Sequence, residues 1–155
     1  MWIVYRLKQI KGTPFPIANL NVNDLYINNR SQGDLLITAL GDNSLRKYIV
    51  DATLQNKNFK SLKAKGEIDF ETPRPTIIAN FTLDEFDLVA FNPLGKGVID
   101  NIRGKVSGRG IVTGLLANPD IDGDLFLENA GLAIPYLNVD YDFIGKSEVN
   151  LTKQS

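Results

Sequence analysis

The chain of 155 residues contains neither cysteine nor histidine. Their absence removes disulfides, thiol nucleophiles, the commonest zinc ligands and the only side chain that titrates near neutrality without a perturbed environment. Most hydrolytic and metal-dependent chemistry is thereby disfavoured. We therefore expect no enzyme activity, no catalytic residue, no metal site and no cofactor.

A surplus of one charge and a long apolar run are also missing. Lys and Arg number 17 against 18 Asp and Glu, which gives a formal net charge of −1 and disfavours a nucleic-acid partner. The opening "MWIVYRLKQI" is interrupted by Arg6 and Lys8, and no uninterrupted run of about 20 apolar residues follows. The sequence predicts neither a signal peptide nor a membrane span, so a location outside the cytoplasm requires a segment absent from this chain.

The pattern that dominates the chain is a period of two, which is typical of β-strands with one buried face. In "SLKAKGEIDF" the apolar residues from Leu62 to Phe70 alternate with lysines and acids, and "TIIANFTL" and "LNVDYDF" repeat the alternation. Weaker alternation in the first third of the chain brings the expected total to about ten strands of roughly 5–8 residues. Residues 86–102 differ, and their spacing predicts one or two short helical turns.

Two features predict that the sheet bends. The alternation after Leu83 changes register at Asp84 and Glu85, which indicates a β-bulge. The run "IRGKVSGRGIVTGLL" places four glycines on one strand face, and glycine in a strand marks a bend or a close approach. We expect an all-β fold with a curved, twisted, antiparallel-rich sheet that forms a groove or half-pipe. The alternative is glycine-assisted corners in an ordinary β-sandwich or barrel.

Motifs for other chemistry are weak. "GKGVIDN" and "GKVSGRG" lack the spacing of a phosphate-binding loop. "DIDGD" resembles a calcium loop, but its glycine stands in the fourth place, and Gly131 occupies the position of the bidentate glutamate. Asp84, Glu85 and Asp87 sit at the register change, where solvation of a bend explains them better than acid–base catalysis. None of these motifs changes the expectation of a non-enzymatic protein.

A longer stretch carries a family resemblance. The segment "IRG", the repeated "G-x-V-x-G", the hinge "NPDIDGDLFL" and the phrase "AGLAIPYLNVDY" follow one another between Ile102 and Tyr141. This succession resembles the C-terminal domain of TamB-like proteins of the bacterial envelope, relatives of the AsmA group, and is similar to Bacteroidetes members. The likeness is clearest over residues 48–155, and it identifies the whole chain as a single fragment of a larger β-groove domain with a β-taco-like sheet.

The resemblance implies a periplasmic location, in a protein whose inner-membrane anchor lies outside this chain. It implies a role in the translocation and assembly module, with phospholipid acyl chains carried in an apolar groove toward an outer-membrane barrel of the Omp85 type, similar to TamA. Together with the alternation, it predicts a set of residues that contact the acyl chains. They are Leu62, Ala64, Ile68, Phe70, Ile77, Ala79, Phe81, Leu83, Val106, Val112, Leu125, Leu127, Leu137, Val139, Tyr141 and Phe143.

Two rival interpretations remain open. In the first, the chain is an interaction module that assists outer-membrane protein assembly by β-augmentation and moves no lipid. Alternatively, it is an adhesin-like structural β-solenoid with a dry, packed interior. Exposed strand edges also favour a homodimer of the fragment.

Overall fold

The computed structural model describes residues 2–10, 13–27, 29–56, 59–94 and 97–152. In this part of the chain it contains ten β-strands, two short 3₁₀ helices and no α-helix, so the predicted all-β class is confirmed. The strands are β1 (Trp2–Ile10), β2 (Thr13–Ile27), β3 (Arg30–Gly41), β4 (Lys47–Asn56), β5 (Phe59–Asp69), β6 (Thr76–Asp87), β7 (Asp100–Leu115), β8 (Asn118–Ile134), β9 (Val139–Asp142) and β10 (Lys146–Leu151). The 3₁₀ helices are Leu88–Leu94 and Pro135–Leu137. Within the same residues, no helix has the length and apolar character needed to cross a membrane.

All ten strands form one antiparallel sheet in which neighbours along the chain are neighbours in space from β1 to β8. Both β9 and β10 then pair with the free side of β8, so that edge is one strand interrupted at residues 143–145. The Phe143 N–H donates to the Ala130 carbonyl oxygen at 2.8 Å across the interruption. The sheet does not close on itself. The alternative of a closed sandwich or barrel is therefore wrong for the described strands.

The number of strands agrees with the sequence, but their lengths do not. They run from 4 residues in β9 to 17 in β8, rather than roughly 5–8. The reason is visible in β2, a strand of 15 residues that continues through a register shift after Val22, where the alternation of the sequence is interrupted. A bulge bends a strand without ending it.

Residues that pair directly lie on the same face of the sheet, so the register defines rows that cross the strands. One face, here called the apolar face, carries rows of aliphatic, aromatic and small residues. The first, here called the leucine row, consists of Val22, Leu35, Leu54, Leu62, Leu83, Gly108, Leu125 and Val149. The opposite face, here called the outer face, carries the lysines and acids of β5. The predicted alternation in this strand is thus confirmed.

Several register shifts of the sheet lie at or near the leucine row. They occur after Val22 in β2, after Leu54 in β4, after Leu83 in β6 and around Gly104 in β7. The bulge predicted at residues 84–85 is among them, with a φ of +45° at Glu85. Because each bulge bends its strand and increases the local twist, the aligned bulges curve the sheet along this line.

The packed core lies where the sheet curves. Leu54, Phe86 and Val106 belong to β4, β6 and β7, and each is at most 8 % exposed although the described strands provide no second sheet. Their burial comes from the bend of the sheet and from the Leu88–Leu94 helix, which packs Leu88 and Ala90 against them. The partly buried residues that complete this core are Leu25, Leu35, Leu62, Leu83, Leu125 and Leu127.

The Leu88–Leu94 helix, about two turns long, confirms the short helical turns predicted within residues 86–102. The Asn92 side chain fixes it to β7, since Oδ1 accepts the Ile102 N–H at 2.7 Å and Nδ2 donates to the Ile102 carbonyl oxygen at 3.3 Å. The core end of the sheet is thereby covered, whereas no element among the described residues covers the other end of the same strands.

Candidate functional site: an apolar cleft beside the packed core

Beyond the leucine row, the apolar face becomes a furrow floored by small residues. The second row consists of Leu20, Ile37, Ala52, Ala64, Phe81, Gly110, Gly123 and Leu151, and the third of Ala18, Ala39, Val50, Gly66, Ala79, Val112 and Ile121. The fourth row restores large side chains on β4 to β6 with Tyr48, Ile68 and Ile77. Successive rows are about 6.8 Å apart along the strands. On β4 and β5, the small residues Ala52, Ala64 and Gly66 lie between two rows of large ones and leave a depression that crosses these strands.

This depression is an open cleft in two adjoining parts. The larger part has a volume of about 560 Å³ and is lined by Ala39, Leu45, Tyr48, Val50, Ile68 and Phe70. The smaller has about 200 Å³ and is lined by Val50, Ala52, Ala64, Lys65, Gly66, Glu67, Ile68, Ile77 and Ala79. Val50 and Ile68 line both parts, so the two parts form one cleft. Its volume falls in the range of ligand pockets, about 300–1,000 Å³.

The mouth of the cleft is built by the β3–β4 turn. The Asp42 carboxylate accepts hydrogen bonds from the Ser44 hydroxyl at 2.8 and 2.9 Å and from the Arg46 N–H at 3.1 Å. The Ser44 hydroxyl is the main cause that lowers the pKa of Asp42 below its usual value. These bonds hold Leu45 at φ +59°, with its side chain 55 % exposed at the cleft. A leucine in this left-handed conformation is uncommon and costs about 1–2 kcal/mol.

Aromatic residues complete the mouth. The Tyr48 and Phe70 rings meet edge to face with their centroids 5.9 Å apart, and the Phe70 N–H donates to the Arg46 carbonyl oxygen at 2.7 Å. On the outer face beside them, Lys47 Nζ lies 3.2 Å from Asp69 Oδ2. Asp69 has its pKa lowered mainly by a hydrogen bond from the Glu71 N–H, and then by Lys47. The mouth is therefore an apolar rim flanked by paired charges.

The predicted contact residues divide into three groups. Ala64, Ile68, Phe70, Ile77 and Ala79 line the cleft. On the same face, Phe81 and Val112 lie next to it. A second group lies at the packed end, where it forms the core with its neighbours: Leu62, Leu83, Val106, Leu125 and Leu127. The third group, Leu137, Val139, Tyr141 and Phe143, lies at the β9–β10 edge of the sheet.

The strand predicted over residues 137–143 is partly wrong. Leu137 belongs to the Pro135–Leu137 helix and is 55 % exposed, and β9 begins only at Val139. Proline fixes its own φ and donates no backbone hydrogen bond, and here it opens a turn that ends with Asn138 at φ +51°. The Asn138 N–H closes the turn by donating to the Pro135 carbonyl oxygen at 3.0 Å.

An arginine fastens this edge to the rest of the sheet. Arg103 Nη2 lies 2.5 Å from Asp142 Oδ1 and 2.8 Å from Asp140 Oδ1, and it also donates to the Tyr141 carbonyl oxygen at 3.2 Å. The side chain crosses Gly131, where an added Cβ would lie 2.6 Å from the guanidinium carbon. Asp140 and Asp142 therefore share a face with Arg103, while Val139 and Tyr141 point to the other side of the sheet.

Sequence reasoning missed the contribution of β3 and β4. Ala39, Leu45, Tyr48, Val50 and Ala52 line the cleft, although none of them was among the predicted contact residues. A signal was present, because "DLLITAL" and "YIVDATL" alternate weakly. Among the described residues, no three acidic side chains converge closely enough to hold a metal ion.

Comparison with known proteins identifies no relative. No protein-family model, curated protein or solved structure matches this chain. The resemblance to TamB-like proteins therefore stays a prediction.

Proposed function

We propose that this chain is a segment of a TamB-like carrier in which the cleft shields phospholipid acyl chains between the inner and outer membranes. The observation that carries the proposal is the open apolar cleft on one face of an unclosed sheet. Each methylene removed from water contributes about 0.8 kcal/mol, whereas a polar head group loses nothing by staying in solvent. A cleft that is apolar at its floor and open at its mouth suits such a molecule.

The two ends of the strands have different parts in this function. The leucine row packs against the Leu88–Leu94 helix and keeps the strands in register. The small residues of the second and third rows cannot fill the space beside it, so the cleft stays open. Added strands at either edge would lengthen the groove by about 4.8 Å each without new chemistry.

The matched pair Ile77 and Ile78 tests the proposal. They are adjacent in β6, but Ile77 lines the cleft while Ile78 lies on the outer face and is 55 % exposed. We expect Ile77→Glu to lower the lipid that co-purifies with the chain and Ile78→Glu to leave it unchanged, as measured by native mass spectrometry. A photo-crosslinking residue should capture lipid at position 77 and not at position 78. Equal lipid loads in both glutamate variants, or no lipid in the wild type, would contradict the proposal.

The β9–β10 edge favours a second candidate function, in which this edge adds to a strand of an Omp85-type barrel or of its client. Ile144 and Tyr136 are 96 % and 91 % exposed beside this edge. Among the described strands, β10 pairs only with β8, so its other edge has no neighbouring strand. Exposed edges accept an added strand through main-chain hydrogen bonds. Adjacent residues of a strand direct their N–H groups to opposite sides, so one of the two variants Glu148→Pro and Val149→Pro removes a donor of the free edge, and we expect that variant to weaken barrel capture without changing the lipid load. Unchanged capture by both variants would remove this candidate.

A further inference from the structure

Between β4 and β8, one large side chain interrupts a line of small ones in the second row of the apolar face. Ala52 and Ala64 on β4 and β5 precede Phe81 on β6, and Gly110 and Gly123 on β7 and β8 follow it. Ala64 and Ala79 are part of the cleft lining, but no residue of β7 or β8 lines either part of the cleft. The cleft therefore ends at β6, the strand that carries Phe81.

The position of the Phe81 ring explains this boundary. A Cβ added to Gly110 would lie 2.7 Å from Phe81 Cζ and 2.8 Å from Cε1, so the ring lies directly against the β7 backbone. A side chain does not fit at Gly110, because its Cβ would also lie 2.5 Å from the backbone carbonyl oxygen of Asp122. The glycine in this row thus accommodates an aromatic ring that covers the floor of the furrow.

We propose that Phe81 is the end wall of the cleft and limits the length of apolar chain that the cleft takes up. The inference rests on the proposed function. A chain that enters past the paired rings of Tyr48 and Phe70 runs over the third row at Gly66 and reaches Ala64 in the second row. This path covers about 14 Å along the strands, two row spacings, before Phe81 blocks continuation toward Gly110.

Binding of saturated fatty acids of increasing length tests the wall. For the wild type, we expect the affinity to rise about fourfold with each added methylene and then to level off. Phe81→Ala should move the plateau to longer chains. Phe126→Ala is the matched control, because Phe126 pairs with Ser107 and Glu148 on the outer face. That variant should keep the wild-type plateau.

A milder variant protects the test against misfolding. Phe81→Leu keeps an apolar residue and should shift the plateau by fewer methylenes than Phe81→Ala, with cooperative thermal unfolding as the check on folding. The same plateau in the wild type and both Phe81 variants would overturn the proposed role of Phe81 but would leave the proposed function standing. Absence of binding at every chain length in the wild type would overturn the proposed function together with this inference.

Discussion

The substitution Leu54→Ala tests where the stability of the sheet resides. Leu54 is 3 % exposed and packs with Phe86 and Val106, and β4 is paired on both sides at this residue, with Leu35 and Leu62. A backbone held on both sides cannot collapse into the space that the leucine leaves. We therefore expect a loss above the lower end of the range for buried leucines, about 3–5 kcal/mol. For a chain of this size, that lowers the melting midpoint by about 6–20 °C.

Leu36→Ala provides the matched control. Leu36 lies on the neighbouring strand β3 but on the outer face, where it is 48 % exposed, so its truncation should cost less than about 1.5 kcal/mol. Urea denaturation followed by circular dichroism measures both losses. Equal losses would refute the assignment of the core to the leucine row. Since Leu54 does not line the cleft, Leu54→Ala should also leave the lipid load per folded molecule unchanged.

Three further substitutions test the turn and the edge. The Ser44 hydroxyl lowers the folded-state pKa of Asp42 below its ordinary value of 3.8, so the charged carboxylate stabilises the fold above pH 3.8. Asp42→Ala should therefore lower the melting midpoint above pH 3.8, and its difference from the wild type should shrink as the pH falls through and below 3.8. A pH-independent difference would contradict this. Leu45→Asn relieves the strain of the left-handed backbone at this position, so the melting midpoint should rise slightly. The lipid load should fall because the apolar side chain is lost. An unchanged load would show that Leu45 does not touch the lipid. Arg103→Lys loses the bonds of the guanidinium to Asp142 and Asp140, so amide hydrogen exchange over β9 should accelerate while that of β4 stays constant, and unchanged protection of β9 would refute the fastening role.

The faces of the central strands are predictable from the sequence. In β5 the apolar residues Leu62, Ala64 and Ile68 alternate with Lys63 and charged neighbours, and charge on one side of an antiparallel strand leaves only one face for burial. The twelve contact residues predicted between Leu62 and Leu127 share the apolar face for this reason. That they contact lipid is still a prediction.

The division of that face into a core and a cleft is not predictable from alternation. Leu62 and Ala64 are two residues apart on one face, yet the first belongs to the core and the second lines the cleft. What separates them is the line of bulges and the Leu88–Leu94 helix, which cover only one end of the strands. A period of two specifies the face of a residue but not the part of the sheet that bends over it. By contrast, β10 was missed although "KSEVNL" alternates, because only Val149 and Leu151 of its six residues are apolar.

The arrangement along β4 and β5 explains how an apolar cleft persists in water. Exposed apolar surface is unfavourable by about 25 cal/mol per Å², so an unsupported sheet would bend until its large side chains met. Here, Leu54 and Leu62 already meet at one end, while Ala52, Ala64 and Gly66 are too short to draw the strands together at the other. The leucine row therefore stabilises a cleft that it does not line. For this reason, truncation of Leu54 should reduce stability and leave lipid loading intact, whereas a charge at Ile77 should have its main effect on loading.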